Sequence, residues 1–186
     1  MTIIEHLKQH IKLDTEIERF LKEECEFKVY EKGELLSHQN QYNRTVFFVE
    51  KGLLRMFYYE KGKDITTNFY SEGKLTANID TLFKDQPTRY NIETLEKSEI
   101  VTCNFQKLEE FCSVSLTFAN FSRYILGNLM IQMSNRISSL QYMTAKEKYA
   151  QLMAENPDII LRAPLGMIAS FLGISQETLS RIRSEK

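Results

Sequence analysis

The stretch Ile168-Ala169-Ser170-Phe171-Leu172-Gly173-Ile174-Ser175-Gln176-Glu177-Thr178-Leu179-Ser180-Arg181-Ile182 decides how the chain is read. Leu165, Ile168, Ala169 and Leu172 fall on one helical face, and the small Ala169 lets a second helix come close. Gly173 tolerates the left-handed conformation that ends a helix, and Ile174 fills the corner that follows. Ser175 caps a second helix whose Leu179 and Ile182 turn inward. Ser175, Gln176, Glu177, Ser180, Arg181 and Arg183 are then left on the outside. Small residue, turn glycine, corner residue and cap stand at helix-turn-helix offsets. A generic helical hairpin closing a core satisfies the apolar positions equally well, but has no use for the outward face. That face carries the chemistry of a major-groove reader, since Arg bridges guanine O6 and N7, Gln pairs with adenine, and Glu accepts from cytosine N4.

Working back from this stretch, Thr144-Ala145-Lys146-Glu147 is a capping box, opening a helix that Asn156-Pro157 stops. From 114 to 142 there is no proline and only Gly127, so a long helix is expected. Leu126, Met133 and Leu140 are seven apart, and Leu129 and Met143 fall on the companion positions with Arg136 between them, as in the seam of a short coiled coil. Leu126, Leu129, Met133, Arg136 and Leu140 are the expected homodimer interface. Ile125, Met130 and Ile137 lie on a neighbouring face that would dock on the rest of the chain. Burial of the whole helix within one subunit's core fits the same periodicity.

Between about 27 and 105 the pattern is different. Val46-Phe47-Phe48-Val49, Leu53 to Tyr59, Tyr90 to Leu95 and Glu99 to Phe105 are aromatic and β-branched runs too short for helices. Glu-Lys-Gly recurs at 31–33, 50–52 and 60–62, and Ser71-Glu72-Gly73 follows, so turns of the hairpin type are spaced regularly. A small antiparallel β-barrel or β-roll is expected. Ahead of it, residues 3 to 24 read as two short helices, the second opened by a Thr15/Glu18 capping box.

Composition narrows the function classes. Lys and Arg number 24 against 25 Asp and Glu, so any attraction for nucleic acid must be local. No run of about 18 apolar residues exists, which argues against a membrane partner. Cys25, Cys103 and Cys112 are odd in number and lack CxxC spacing, so a reducing cytoplasm is the expected location, with Cys103 and Cys112 packing as small hydrophobes. His6 and His10 sit one helical turn apart without an evident third ligand, and are expected to be exposed structural residues; no metal and no cofactor is expected. With no phosphate-cradling glycine loop and no GxSxG, the chain does not read as an enzyme.

The segment from Ile168 to Ile182 resembles the helix-turn-helix of the CRP/FNR superfamily of transcription regulators. The resemblance extends over nearly the whole chain: glycine-punctuated strands, Glu93-Thr94-Leu95-Glu96 before Glu99-Ile100-Val101, a long helix and a terminal reader helix come in the family's order. It implies an α+β chain with three parts. These are a cyclic-nucleotide-binding-like antiparallel β-roll (double-stranded β-helix) with N-terminal helices at 1–113, a dimerisation helix at 114–143, and an all-α helix-turn-helix domain at 144–186. It also implies double-stranded DNA as partner, with Gln176, Glu177 and Arg181 at the base-reading positions. The first of these is often Arg in the family, so a different operator preference is implied.

Two departures stand out. The sequence ends at Lys186, just past the reader helix, so most of the family's β-hairpin wing is expected to be missing. In 157–186, Arg162, Arg181, Arg183 and Lys186 oppose Asp158, Glu177 and Glu185, a net of only +1, so binding should depend on dimerisation. In cyclic-nucleotide-binding relatives, Gly-Glu-Leu supplies a carboxylate to the ribose and a following Arg-Ser or Arg-Thr clamps the phosphate. Here Gly73-Lys74-Leu75 and Arg89-Tyr90 stand in those places, which argues against cAMP and leaves Lys74, Arg89 and Tyr90 as candidate contacts to another small effector. An iron-sulfur cluster is not expected, since only Cys25 lies in the first hundred residues. The competing reading is a β-roll module that dimerises and binds a ligand or protein without reading DNA.

Overall fold

A computed structural model of the chain describes residues 1–184; Glu185 and Lys186, on which the missing-wing expectation rests, lie outside the described residues. Two short helices, α1 (Ile3–Lys8) and α2 (Thr15–Glu24), lead into eight strands: β1 (Cys25–Tyr30), β2 (Leu35–Ser37), β3 (Thr45–Lys51), β4 (Leu54–Glu60), β5 (Lys63–Tyr70), β6 (Leu75–Ala77), β7 (Asn91–Thr94) and β8 (Ser98–Asn104). A third helix, α3 (Ile79–Lys84), interrupts them before β7. After β8 the chain is helical: α4 (Phe105–Val114), α5 (Leu116–Tyr142), α6 (Ala145–Glu155), α7 (Pro157–Arg162), α8 (Leu165–Leu172) and α9 (Gln176–Ser184).

The strands form two antiparallel four-stranded sheets, ordered β1-β8-β3-β6 and β2-β7-β4-β5. Their facing sides bury Phe47, Val49, Leu54, Met56, Ile92 and Ile100. The alternate residues of β3 and β8 point the other way, and Phe48, Val101 and Cys103 join Leu7, Ile17, Phe20 and Leu21 of α1 and α2 in a second core. The β4–β5 hairpin turns through Lys61 (φ 50°) and Gly62 (φ 76°), the pair of positive φ angles that matches the twist of two paired strands. Strand β5 is not among the runs read as strands above: Lys63, Asp64 and Asn68 interrupt its sheet-favouring Ile65, Thr66, Thr67, Phe69 and Tyr70, and its buried Thr66 is covered by a helix from the far end of the chain.

Several local expectations are met and several are corrected. Asn104 caps α4 through a 2.8 Å bond from the Gln106 N–H, and Thr144 and Glu147 form their capping box. The cap of α2, however, is Asp14, whose carboxylate accepts from the Ile17 N–H at 2.9 Å; a charged acceptor suits the positive end of a helix. Pro157 does not merely stop α6 but begins α7, where its missing N–H costs nothing. On α5, docking onto the β-roll is done by Phe118 and Phe121 with Ile125 beside them, while Met130 (70% exposed) and Ile137 (54%) stay in solvent. His6 is not exposed: its ring nitrogens are buried beside Phe48, Phe121 and His10. Among the described residues no helix is long and apolar enough to cross a membrane, and no three His, Cys, Asp or Glu side chains converge as metal ligands.

Candidate nucleic-acid interface

The helix-turn-helix forms as its residues require. Gly173, at φ 68°, closes α8, and the Ile174 N–H returns to the Ala169 carbonyl at 3.0 Å, so the chain turns within two residues. Ser175 Oγ accepts the Thr178 N–H at 3.1 Å and starts α9. Ile168, Ala169, Leu172 and Leu179 are buried with Tyr149 and Leu152 of α6 and Ile159 of α7, and Leu179 is fully enclosed. One side of α9 is thereby fixed as the inner side.

Its other side is free. Ser175, Gln176, Glu177, Ser180, Arg181 and Arg183 are all exposed, and neither arginine makes an ion pair among the described residues. The Gln176 carboxamide lies against Gly166 of α8, where an added Cβ would come within 3.1 Å of its oxygen. Hydrogen bonds from its own backbone and from Ser175 hold the Glu177 carboxyl below its ordinary pKa, so it stays an acceptor. The spatial order along the helix is acceptor-rich at its N-terminus and cationic towards its end.

The reader unit is docked on the β-roll of the same chain. Ser170 Oγ accepts the Thr66 N–H at 2.9 Å, and Phe171 meets Phe69 edge to face with ring centres 5.4 Å apart. Arg162 of α7 binds Glu72 through two bonds of 3.0 and 2.9 Å and Glu96 through bonds of 3.2 and 2.5 Å, tying the β5–β6 and β7–β8 turns together. From α5, Arg136 donates to the Phe171 carbonyl and lies 4.1 Å above its ring, and Leu140 faces the Gly173 corner, where an added Cβ would come within 3.5 Å of it. Two of the five expected seam residues thus face the chain's own reader unit, Leu140 while still 46% exposed. Leu126 (40% exposed) and Met133 (63%) remain open and Leu129 is half-buried.

Sequence reasoning missed the ionic network beneath α8. Arg55, 3% exposed, donates to Glu93 (2.6 Å), to both oxygens of Asp64 (2.7 and 3.0 Å) and to Thr66 Oγ1 (3.1 Å), and lies 3.9 Å above the Phe57 ring. A signal existed: an arginine inside the run Leu53 to Phe57 is out of place unless paired. The candidate effector residues are less concentrated. Lys74 and Arg89 are exposed and unpaired among the described residues, whereas Tyr90 is half-buried with its ring 5.8 Å from that of Tyr58. Inside the roll, Asn78 donates to Ser37 Oγ at 2.6 Å while its carbonyl oxygen is buried without a partner, a polar feature the sequence did not advertise.

Residues 27–115 match the cyclic nucleotide-binding domain family. Among solved structures, FixK2 from Bradyrhizobium japonicum superposes with a TM-score of 0.75 at 18% identity, covering 87% of this chain and 83% of that one. A CooA variant from Carboxydothermus hydrogenoformans gives 0.72 at 20%, covering 100% and 84%. CLP, described as a c-di-GMP responsive global regulator of Xanthomonas campestris, gives 0.70 at 14%, covering 91% and 89%. No curated protein matches the chain by sequence. The chain has the fold of the CRP/FNR regulators, as the resemblance of its helix-turn-helix implied: an antiparallel β-roll of the cyclic-nucleotide-binding type, a long helix and a C-terminal set of helices.

Proposed function

We propose that this protein is a sequence-specific, DNA-binding transcription regulator that acts as a homodimer. The observation that carries this reading is α9 itself, whose apolar side is buried while Gln176, Glu177, Ser180, Arg181 and Arg183 stand exposed, the two arginines without an ion pair among the described residues. Such a helix is free to enter a major groove with its N-terminal residues against the base edges. Dimerisation follows from the exposed apolar side of α5 and from the modest local charge, since one reader helix with few cations gains little from phosphate attraction. The β-roll is the effector domain of this reading, with Lys74, Arg89 and Tyr90 offered to an anionic small molecule other than cAMP. The regulator works in the cytoplasm without a catalytic role.

Selection from a random duplex library, followed by a salt titration on the enriched sequence, tests it. A palindrome with half-site centres about 10 bp apart, or a multiple of that, is the expected product. No enrichment by the dimeric protein, with or without small-molecule extracts, would leave the non-reading β-roll module as the better description.

A further inference from the structure

Cys25 opens β1 and Cys103 lies in the adjacent strand β8, and the antiparallel register sets them directly opposite each other. Opposed residues in such a pair hold their Cβ atoms about 4.5–5.5 Å apart, close to what a disulfide spans. Both thiols are free and buried; Cys103 Sγ lies 3.5 Å from the Glu24 carbonyl oxygen and 3.7 Å from that of Asn104, and the nearness of the two thiols draws Cys25 below the ordinary thiol pKa and pushes Cys103 above it.

Both thiols also line a cavity of about 60 Å³ between the N-terminal helices, β3, β6, β8, α4 and α5. Its remaining wall is apolar, from Leu7, Leu21, Phe48 and Phe121, except for His6. Both ring nitrogens of His6 are buried without a hydrogen-bond partner, an arrangement folded proteins rarely leave unused. Burial, with His10 and Lys74 nearby, lowers the His6 pKa, so the imidazole is neutral and can accept a proton. Metal chemistry is not the explanation, because no three donor side chains converge among the described residues. A space this size admits a molecule of a few atoms far more readily than a peptide disulfide.

We propose that Cys25, Cys103 and His6 form a dithiol site that reacts with small, uncharged peroxides. The Cys25 sulfur attacks one oxygen of hydrogen peroxide, its proton relayed to His6 through the peroxide bound in the cavity between them. The O–O bond breaks, Cys25 becomes a sulfenic acid, and the departing hydroxide takes the proton back from His6 as water. The Cys103 sulfur then attacks the sulfenic sulfur; the S–S bond forms, the S–O bond breaks, and a second water leaves with the Cys103 proton. Two thiols are oxidised by two electrons in all, and one peroxide is reduced to two waters.

The test exposes the native full-length chain to stoichiometric hydrogen peroxide, blocks remaining thiols, and maps the digest by mass spectrometry. The expected product joins the Cys25 and Cys103 peptides and leaves Cys112 blocked, with oxidised glutathione reacting at least tenfold more slowly. His6→Phe should slow the peroxide reaction roughly tenfold or more, the order expected for loss of a general base. Reading the wild-type chain keeps the test independent of whether that variant folds. Recovery of Cys25 and Cys103 as free thiols after native treatment, when the urea-unfolded chain does oxidise, overturns the proposal, as does a peroxide product linked through Cys112. Equal rates with peroxide and oxidised glutathione overturn it too, because the thiols would then be meeting reagent at an open surface.

Discussion

Arg162 on α7 grips Glu72, in the turn between β5 and β6, with its two terminal guanidinium nitrogens at 3.0 and 2.9 Å from the two carboxylate oxygens. Burial works to raise the Glu72 pKa, but hydrogen bonds from Arg162, from its own backbone and from the Gly52 N–H outweigh it and hold the carboxyl at about 2. A carboxylate whose pKa is depressed on folding stabilises the fold above its unfolded value, here about 4.5, and loses that contribution as pH falls through about 2. The stability of the docked reader unit should therefore decline across this acid window. In Glu72→Gln the corresponding part of the decline should be absent and the stability at neutral pH lower by about 1.5–3 kcal/mol, since a charged hydrogen-bond partner is gone. Urea denaturation of both proteins at stepped pH checks this; parallel pH profiles would show that the clamp contributes nothing.

Arg55 gives a second prediction with a larger amplitude. Its guanidinium is the partner of Glu93, 17% exposed, and of Asp64. Removing one member of a buried ion network leaves the others charged and unpaired, so Arg55→Ala should cost about 3–5 kcal/mol. Arg55→Met with Glu93→Gln should recover part of it. The readout is the denaturation midpoint of Arg55→Met, Glu93→Gln and their combination, and full additivity of the two substitutions would contradict the network.

Glycine positions separate a crowded turn from an open one. At Gly52 (φ 110°) an added Cβ would lie 2.2 Å from Ser98 Oγ and 2.8 Å from Ser98 Cα, while at Gly62 (φ 76°) nothing lies within 4 Å. Gly62→Ala should cost about 1–2 kcal/mol, the expense of a left-handed alanine. Gly52→Ala should cost clearly more, because backbone must move as well. Thermal melts of the two variants in parallel give the comparison.

Arg181→Ala should leave the melting temperature unchanged, since the side chain is exposed and makes no ion pair among the described residues. If α9 reads DNA, the same change should cost about 1–3 kcal/mol of binding and relax discrimination at one base pair per half-site. Fluorescence anisotropy on matched and singly mismatched duplexes distinguishes that from a uniform loss, which would mark a phosphate contact.

Met133→Glu tests the proposed seam. Met133 is 63% exposed in the single chain, so a charge there should be neutral for the fold. Across a dimer seam it places like charges face to face in an apolar contact. Light scattering should then report a monomer where the wild-type chain is a dimer, and DNA binding should fall with it.

Local chemistry was sufficient wherever neighbours in sequence are neighbours in space. The Gly173 turn, the Ser175 cap and the Thr144/Glu147 box all rest on groups within a few residues of each other, and each forms as its residues demand. The inner and outer sides of α9 follow from helical spacing for the same reason. Where two short-range solutions compete, as Asp14 and Thr15 do for the start of α2, a one-residue shift results. On α5, spacing found an apolar helix but not its orientation: Phe118, Phe121 and Ile125 meet the roll, and Arg136 and Leu140 meet α8, because those partners come from distant strands and helices.

The sequence by itself determined a β-rich unit, a long helix and a helix-turn-helix whose outward residues carry major-groove chemistry, since hydrophobic period, turn glycines and caps are written within each segment. Only the tertiary structure decided which charges pair and which polar groups are buried. Arg55 finds Asp64 and Glu93 through strand register, Arg162 finds Glu72 and Glu96 through domain docking, and Cys25 finds Cys103 across two strands. Each of these pairings depends on closing a long loop, and the free energy that closes it comes from the apolar cores, not from the paired groups themselves.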